Sequence, residues 1–416
     1  MQQALAGRVA RLFAGAAVLL ICSFTIGYAA SPPSAVTIGT LYASTGPFAV
    51  SFESEYNGLQ FWAAEANKDG GVFVKAFDKK IPIKITAYDD QSSTSTATTL
   101  YNQLITQDKV DILVADFGSV LTSVAIPLAA EHHTLLIDPT GSGANFFREK
   151  TDYLAEVSLP ASSVWPESLG QFLLDHKIKR VAIIYGSNDF DASQGETLKS
   201  LLVKGGVNPV YFHAVPTTES NYLVLLHTMA AERPDAVIEF GYPDNDIAFL
   251  RALSQSGLHF DMVFTVFPGQ LLQLLTSNVG VKTLAYTLTY PTAPLVQYKK
   301  VTDGMNTADF VSAYKTASGK EANFLTIAGY NAGVIIQKML ATSPEFTQLS
   351  FHSALRQMSG HTSTLVGDFD VNENGAQVGE LLSVAQLQPE GTGLKVVVVY
   401  PPDKATGELV YPAPRQ

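Results

Sequence analysis

Short β-branched runs alternate with stretches of helical periodicity along most of this chain, and that alternation leaves few architectures open. Val36-Thr37-Ile38-Gly39-Thr40-Leu41 reads as a first strand, ended by Thr45-Gly46-Pro47. Tyr56, Leu59, Trp62, Ala63 and Ala66 then fall at helical spacing, and Asp69-Gly70-Gly71 closes that helix. A strand over 81–88, a helix marked by Ala97, Leu100, Tyr101, Leu104 and Ile105, a strand over 110–114 and a helix running to Ala130 follow. Thr134-Leu135-Leu136-Ile137 is the next strand, and its character changes at once at Asp138-Pro139-Thr140-Gly141-Ser142-Gly143. Continuous apolar strands joined by helices imply a doubly wound parallel sheet covered on both faces. In such sheets ligands bind beyond the carboxyl ends of the strands.

A second unit of the same rhythm begins near Leu159-Pro160. Trp165, Leu169, Phe172, Leu173 and His176 form one helical stripe, and strands are expected over 180–185, 210–213, 235–240 and 262–266 with helices between. Past Thr292 the rhythm breaks. Helices over 308–316, 326–340 and 351–358 follow with little strand between them, and the middle one is apolar nearly all round, which argues burial against the first sheet. Strands over 367–371 and 394–400 precede a Pro-rich tail that reads as an exposed extension. The fold expected is α/β, with two Rossmann-like doubly wound lobes and a hinge. Residues 1–30 form a signal peptide, 34–158 plus 292–362 an N-terminal lobe, and 159–291 plus 363–416 a C-terminal lobe.

Composition narrows the compartment and the partners. Arg8 and Arg11 precede an apolar run from Leu12 to Ile26, and Gly27-Tyr28-Ala29-Ala30 offers small residues for cleavage, the pattern of a secretory signal. Ile21 before Cys22 argues against lipid attachment there. Cleavage after Ala29 or Ala30 removes Cys22, so the mature chain carries no disulfide or thiolate chemistry. It also removes two of the 27 basic residues, leaving 25 against 38 acidic ones, a net of −13. An acidic chain without a basic tract disfavours nucleic acid and anionic membranes as partners.

Catalytic signatures are missing: there is no G-x-S-x-G, H-E-x-x-H or Walker A, and Phe146 stands where a dinucleotide fingerprint requires glycine. Glu131-His132-His133 reads as the solvated end of a helix and Asp89-Asp90 as two acids in a loop, so no metal, cofactor or catalytic residue is expected. What remains are polar and aromatic residues at strand ends: Ser119, Thr140 to Ser142, Asn188 to Phe190, and Tyr242. If the two units face each other, these loops converge on one cleft, the general form of a small-molecule site.

In the order and spacing of these motifs the chain resembles the type I periplasmic substrate-binding proteins of ABC importers, of the branched-chain amino acid and amide group. The carriers are Thr45-Gly46-Pro47, the 58–67 helix with Gly70-Gly71, Tyr88-Asp89-Asp90, Ser119, Ile137-Asp138-Pro139-Thr140, Arg180-Val181-Ala182-Ile183 and Phe240-Gly241-Tyr242. The resemblance implies two lobes joined by three crossovers and closing on a ligand. It implies that Ser119, Thr140, Gly141 and Ser142 hold a ligand carboxylate, that Phe190 stacks over the ligand, and that Tyr242 lies at the cleft. It also implies ABC permease subunits as partners of a monomeric periplasmic receptor, with a solute sensor of the same fold as an alternative role. One departure bears on the ligand. Where amino acid binders of this group carry an acid for the ligand ammonium, this chain reads Thr265-Val266-Phe267-Pro268. A buried ammonium without a carboxylate is unfavourable, so the expected solute has a carboxylate and an apolar or aromatic body facing Phe190, Tyr242 and Phe267. Branched-chain amino acids or amides are the alternative, with Glu239 or Asp244 meeting the ammonium. Phe48 and Trp165 are read as core residues near the cleft.

Overall fold

The computed structural model describes residues 31–49, 52–298 and 300–415. The expected signal segment lies outside the described residues. From Val36 the chain runs β1 (Val36–Tyr42), α1 (Phe52–Lys68), a small hairpin β2 (Val72–Val74) and β3 (Lys79–Ile81), then β4 (Ile83–Asp89), α2 (Thr94–Thr106), β5 (Ile112–Val114), α3 (Gly118–Glu131), β6 (Leu136–Asp138) and β7 (Leu154–Glu156). The first sheet has the order β4-β1-β5-β6-β7, parallel throughout.

The second half begins with α4 (Pro166–Asp175), β8 (Val181–Gly186), α5 (Asp189–Lys204), β9 (Tyr211–Val215), α6 (Leu223–Ala231), β10 (Ala236–Phe240), α7 (Pro243–Ser256), β11 (Val263–Phe264), α8 (Leu272–Val279), α9 (Val281–Leu284) and β12 (Leu288–Thr289). Its five parallel strands order as β9-β8-β10-β11-β12, the same second-first-third-fourth-fifth sequence as the first sheet. The repeat suggested by rhythm is therefore one of topology. In each sheet the order reverses between the first and third strands in sequence, and the crevice at such a switch point is where ligands bind.

Past Thr292 the chain returns to the first lobe as α10 (Thr307–Ser318), α11 (Phe324–Thr342) and α12 (Gln348–Met358). These helices cover one face of the first sheet in a core holding Val36, Ile38, Ile112, Val114 and Ile137. Among the described residues α11 is the one helix long and apolar enough to span a bilayer, but 83% of that apolar window is buried inside the fold. It is a core helix and runs against α1 closely enough that a Cβ on Gly329 would meet the Glu55 carbonyl oxygen at 2.0 Å.

A hairpin of β13 (Thr362–Thr364) and β14 (Gly367–Phe369) packs Leu365 and Phe369 into that same core. The chain then crosses a third time. Strands β15 (Val384–Glu390) and β16 (Gly393–Tyr400) extend the second sheet antiparallel beyond β12. The tail past Pro401 is exposed along much of its length, yet it is pinned. Gln386 bonds Val410 through both amide atoms, and the Ala413 N–H donates to the Asp261 carbonyl.

Candidate functional site

The switch points of the two sheets face each other, and the loops at their strand ends meet. From the first lobe, Phe48 follows β1 and Phe117 to Ser119 follow β5. Gly118 opens α3 with φ +78°, a conformation that favours glycine, and a Cβ there would lie 2.9 Å from the Tyr242 ring. From the second lobe, Phe190 sits in the first turn of α5 and Tyr242 is the N-cap of α7. Tyr242 reaches across. Its hydroxyl accepts the Ser119 N–H at 3.0 Å, and the Val120 amide also faces that oxygen. The phenol thus occupies the amino end of a 14-residue helix, where free N–H groups and the helix dipole favour an electron-rich oxygen. At the rim, Asn145 donates from its backbone and side-chain nitrogens to Asp189, at 2.8 and 2.6 Å.

Four of the six expected residues meet here. Thr140, Phe190 and Tyr242 line a cavity between the lobes, and Ser119 lies beside it in the first turn of α3. The cavity wall is largely aromatic: Phe117, Trp165, Phe190, Tyr242, Phe267 and Phe324. Its volume is about 10 Å³, room for one water at most. Trp165, read from sequence as core, is both: its indole N–H donates to the Pro160 carbonyl at 2.7 Å, and its ring meets Phe190 edge-on at 5.0 Å. Phe48 packs edge-on against Tyr242 at 5.2 Å. The Ser119 hydroxyl is buried and faces the Tyr242 phenol without a well-formed hydrogen bond.

Gly141 and Ser142 are placed differently. The Asp138 carboxylate folds back to accept the Gly141 and Thr140 amides at 2.6 and 3.2 Å. Those N–H groups, expected to face a ligand, are taken up by the strand's own last residue. Ser142 is fully buried with its hydroxyl unpartnered, and its carbonyl accepts the Ser162 N–H.

Acidic side chains gather beneath both halves of the cleft without cations among the groups acting on them. In the first lobe Glu55, Asp90, Asp116 and Asp138 are all buried. Burial, then the Asp138 charge, pushes the Glu55 carboxyl well above its ordinary value; burial, then Asp90, does the same to Asp116. The Asp116 and Asp90 carboxyls face each other, and the Asp90 charge favours the protonated form of Asp116. Burial lifts Asp138 to about 7, against the pull of the two amides it accepts.

In the second lobe Asp191, Glu239 and Asp246 form a like group behind Tyr242. Burial and then Asp246 push Glu239 well up. Glu239 faces Asp246 rather than lining the cavity, and Asp244 is exposed in the first turn of α7 near Arg251. Asp89 and Asp90 part company, Asp89 accepting the Ser44 N–H at 2.9 Å while Asp90 turns inward. Glu131, His132 and His133 are exposed at the end of α3. Among the described residues no group of three His, Cys, Asp or Glu is disposed to hold a metal ion.

Two lobes of one strand order, crossed three times and meeting at their switch points, define the type I periplasmic binding fold. The chain belongs to the periplasmic binding protein family, whose pattern matches residues 35–392. It is 23% identical over 238 residues to the Leu/Ile/Val-binding protein homolog 3 of Brucella melitensis, covering 56% of this chain and 62% of that protein. It spans about three fifths of the length of the first curated relatives it matches. Its fold is similar to a leucine binding protein from Thermotoga maritima, with a TM-score of 0.75 at 16% identity over 88% of this chain and 99% of that one. It is also similar to a solute binding protein of an ABC transporter from R. palustris solved with benzoate, with a TM-score of 0.72 at 15% identity over 88% and 96%.

Proposed function

We propose that this protein is the extracytoplasmic solute-binding receptor of an ABC importer. It closes its lobes over a small solute bearing a carboxylate and an apolar or aromatic body, and presents it to permease subunits in the membrane. The arms assigned are residues 34–158 with 292–362 and the adjoining hairpin, and residues 159–291 with β15 and β16.

The observation that carries this reading is the pairing of the α3 amino end with a ring-lined wall. The Ser119 amide and hydroxyl and the Thr140 hydroxyl suit an anion, which would displace the Tyr242 phenol from the Ser119 N–H. The six aromatic residues around it suit an apolar or aromatic body. Phe190 and Tyr242 then close over that body from the second lobe. Among the described residues no acid lines the aromatic cavity itself, Glu55 standing behind the Thr140 hydroxyl, which speaks against an α-ammonium group in direct contact there. The benzoate in the R. palustris protein is a solute of the favoured kind, whereas the T. maritima protein is named for leucine.

A second reading, an amino acid or amide ligand, is supported by Asp191, Glu239 and Asp246 behind Tyr242, which would meet an ammonium if the phenol swung aside.

Thermal unfolding against a solute panel separates the two. A ligand at 100 times its Kd stabilises by about 2.7 kcal/mol. Benzoate and related carboxylates are expected to raise the unfolding temperature, and leucine, valine and their amides to leave it unchanged. A shift with leucine alone would replace the first reading by the second.

A further inference from the structure

The anion site proposed above and the buried acids of the first lobe are one hydroxyl apart. The Thr140 Oγ1 accepts the Gly118 N–H at 3.1 Å and lies 3.2 Å from Glu55 Oε2. Glu55 and Asp116 also line a second cavity of about 10 Å³, which meets the aromatic one at Phe117. An anion seated on the Ser119 amide is therefore brought up against Glu55, across Thr140, in a region with room for little water.

The titratable groups bearing on Glu55 and its neighbours are known from each side. Asp138 at the end of β6 acts on Glu55, Glu55 and Asp90 both act on Asp116 after β5, and the Tyr101 phenol of α2 accepts the Asp116 N–H at 2.9 Å. On α1 itself the neighbouring phenol is Tyr56, stacked on Tyr42 of β1. α11 presents backbone at Gly329, and among the described residues none from the second lobe lines the cavity that holds Glu55. None of these groups is cationic.

We propose that capture of an anionic solute in this cleft takes up one proton from solvent, and that Glu55 holds it. The inference rests on the carboxylate reading of the site. A like charge arriving beside a buried carboxyl favours its protonated form. Protonated, Glu55 can donate to the Thr140 hydroxyl, which is then free to donate onward to the solute. Ionised, Glu55 would claim that hydroxyl and repel the anion. The site thus selects an anion together with a proton, without any Lys or Arg.

Measured from about pH 5 to about pH 9, the Kd for an anion is expected to rise by up to about tenfold per pH unit above the pH at which ligand-free Glu55 ionises.

The test is calorimetric titration with benzoate at several pH values across that range, each in two buffers of different ionisation enthalpy, repeated with Glu55→Gln and supported by Kd values over the same range. The expected result is proton uptake by the native protein that grows towards one as the pH is raised, and none by Glu55→Gln, whose affinity no longer changes with pH. Benzoate binding without proton uptake and with a pH-independent Kd overturns the coupling and leaves the carboxylate reading standing. Proton uptake that survives in Glu55→Gln overturns the assignment to Glu55. Failure of benzoate and the other carboxylates of the panel to bind overturns the carboxylate reading and this inference with it. Should Glu55→Gln not fold, the buffer comparison and pH series on the native protein decide the coupling alone.

Discussion

Ser119 illustrates what a single residue contributes here. Its amide is engaged with Tyr242, and its buried hydroxyl meets no strict hydrogen-bond geometry, facing only the same phenol. Removing that hydroxyl costs the ligand-free chain at most this one weak contact. Ser119→Ala is therefore expected to leave the denaturation midpoint nearly unchanged while weakening a carboxylate ligand by about 1–3 kcal/mol, read by calorimetric titration. Ser119, Thr140, Phe190 and Tyr242 were legible because each directly follows a strand recognisable from its apolar run. The turn at Asp138 was not fully legible, since nothing in Asp138-Pro139-Thr140-Gly141 says that the aspartate will occupy the amides of its own loop. Glu55 was missed although a signal existed. It stands four, seven and eleven residues before Leu59, Trp62 and Ala66, so it lies on the apolar stripe of α1 and had to be buried.

Among the elements, the crossing of α1 and α11 decides most about the first lobe. Glycines at 58, 329 and 333 let the two backbones touch: a Cβ on Gly58 would meet the Thr326 carbonyl oxygen at 2.0 Å, and one on Gly333 the Trp62 ring at 2.1 Å. Backbone cannot turn aside as a side chain can. Gly329→Ala is accordingly expected to destabilise by at least the ~1–3 kcal/mol usual for overpacking, read as a lower urea midpoint. The displacement would also reach Glu55 and hence the cleft. The apolar run that made α11 readable as a buried helix follows from the same contact, because both of its faces are covered. Strands β7 and β12, three and two residues long, carried no readable pattern. Their neighbours' hydrogen bonds define them. β15 was hidden by Gln386, a polar residue that is buried because the Tyr286 and Val410 carbonyls accept from its side chain.

At the scale of the whole molecule, the buried acids set an unusual pH response. Asp138 and Asp246 keep their protons up to about 7 in the folded chain, against an ordinary value of 3.8. Between these limits the folded chain binds more protons than the unfolded one. Stability then falls as pH rises, by up to ~1.4 kcal/mol per pH unit for each group, and levels off above about 7 where both states are ionised. The urea midpoint of the ligand-free protein is expected to be higher at about pH 5 than at about pH 8; a midpoint that rises with pH across that range would show that these carboxyls are already ionised in the fold.

The sequence by itself determined the class of this protein. Apolar periodicity and turn residues are local properties, so the two α/β units, the helical return and the residues at the strand ends could be read in order along the chain. Tertiary structure alone decided how those ends meet. It brought Tyr242 onto the Ser119 amide, 123 residues away, and Glu55 onto Thr140, 85 residues away. Such contacts depend on packing distance and on which polar groups lose water together, and neither quantity is written in the spacing of residues along a chain.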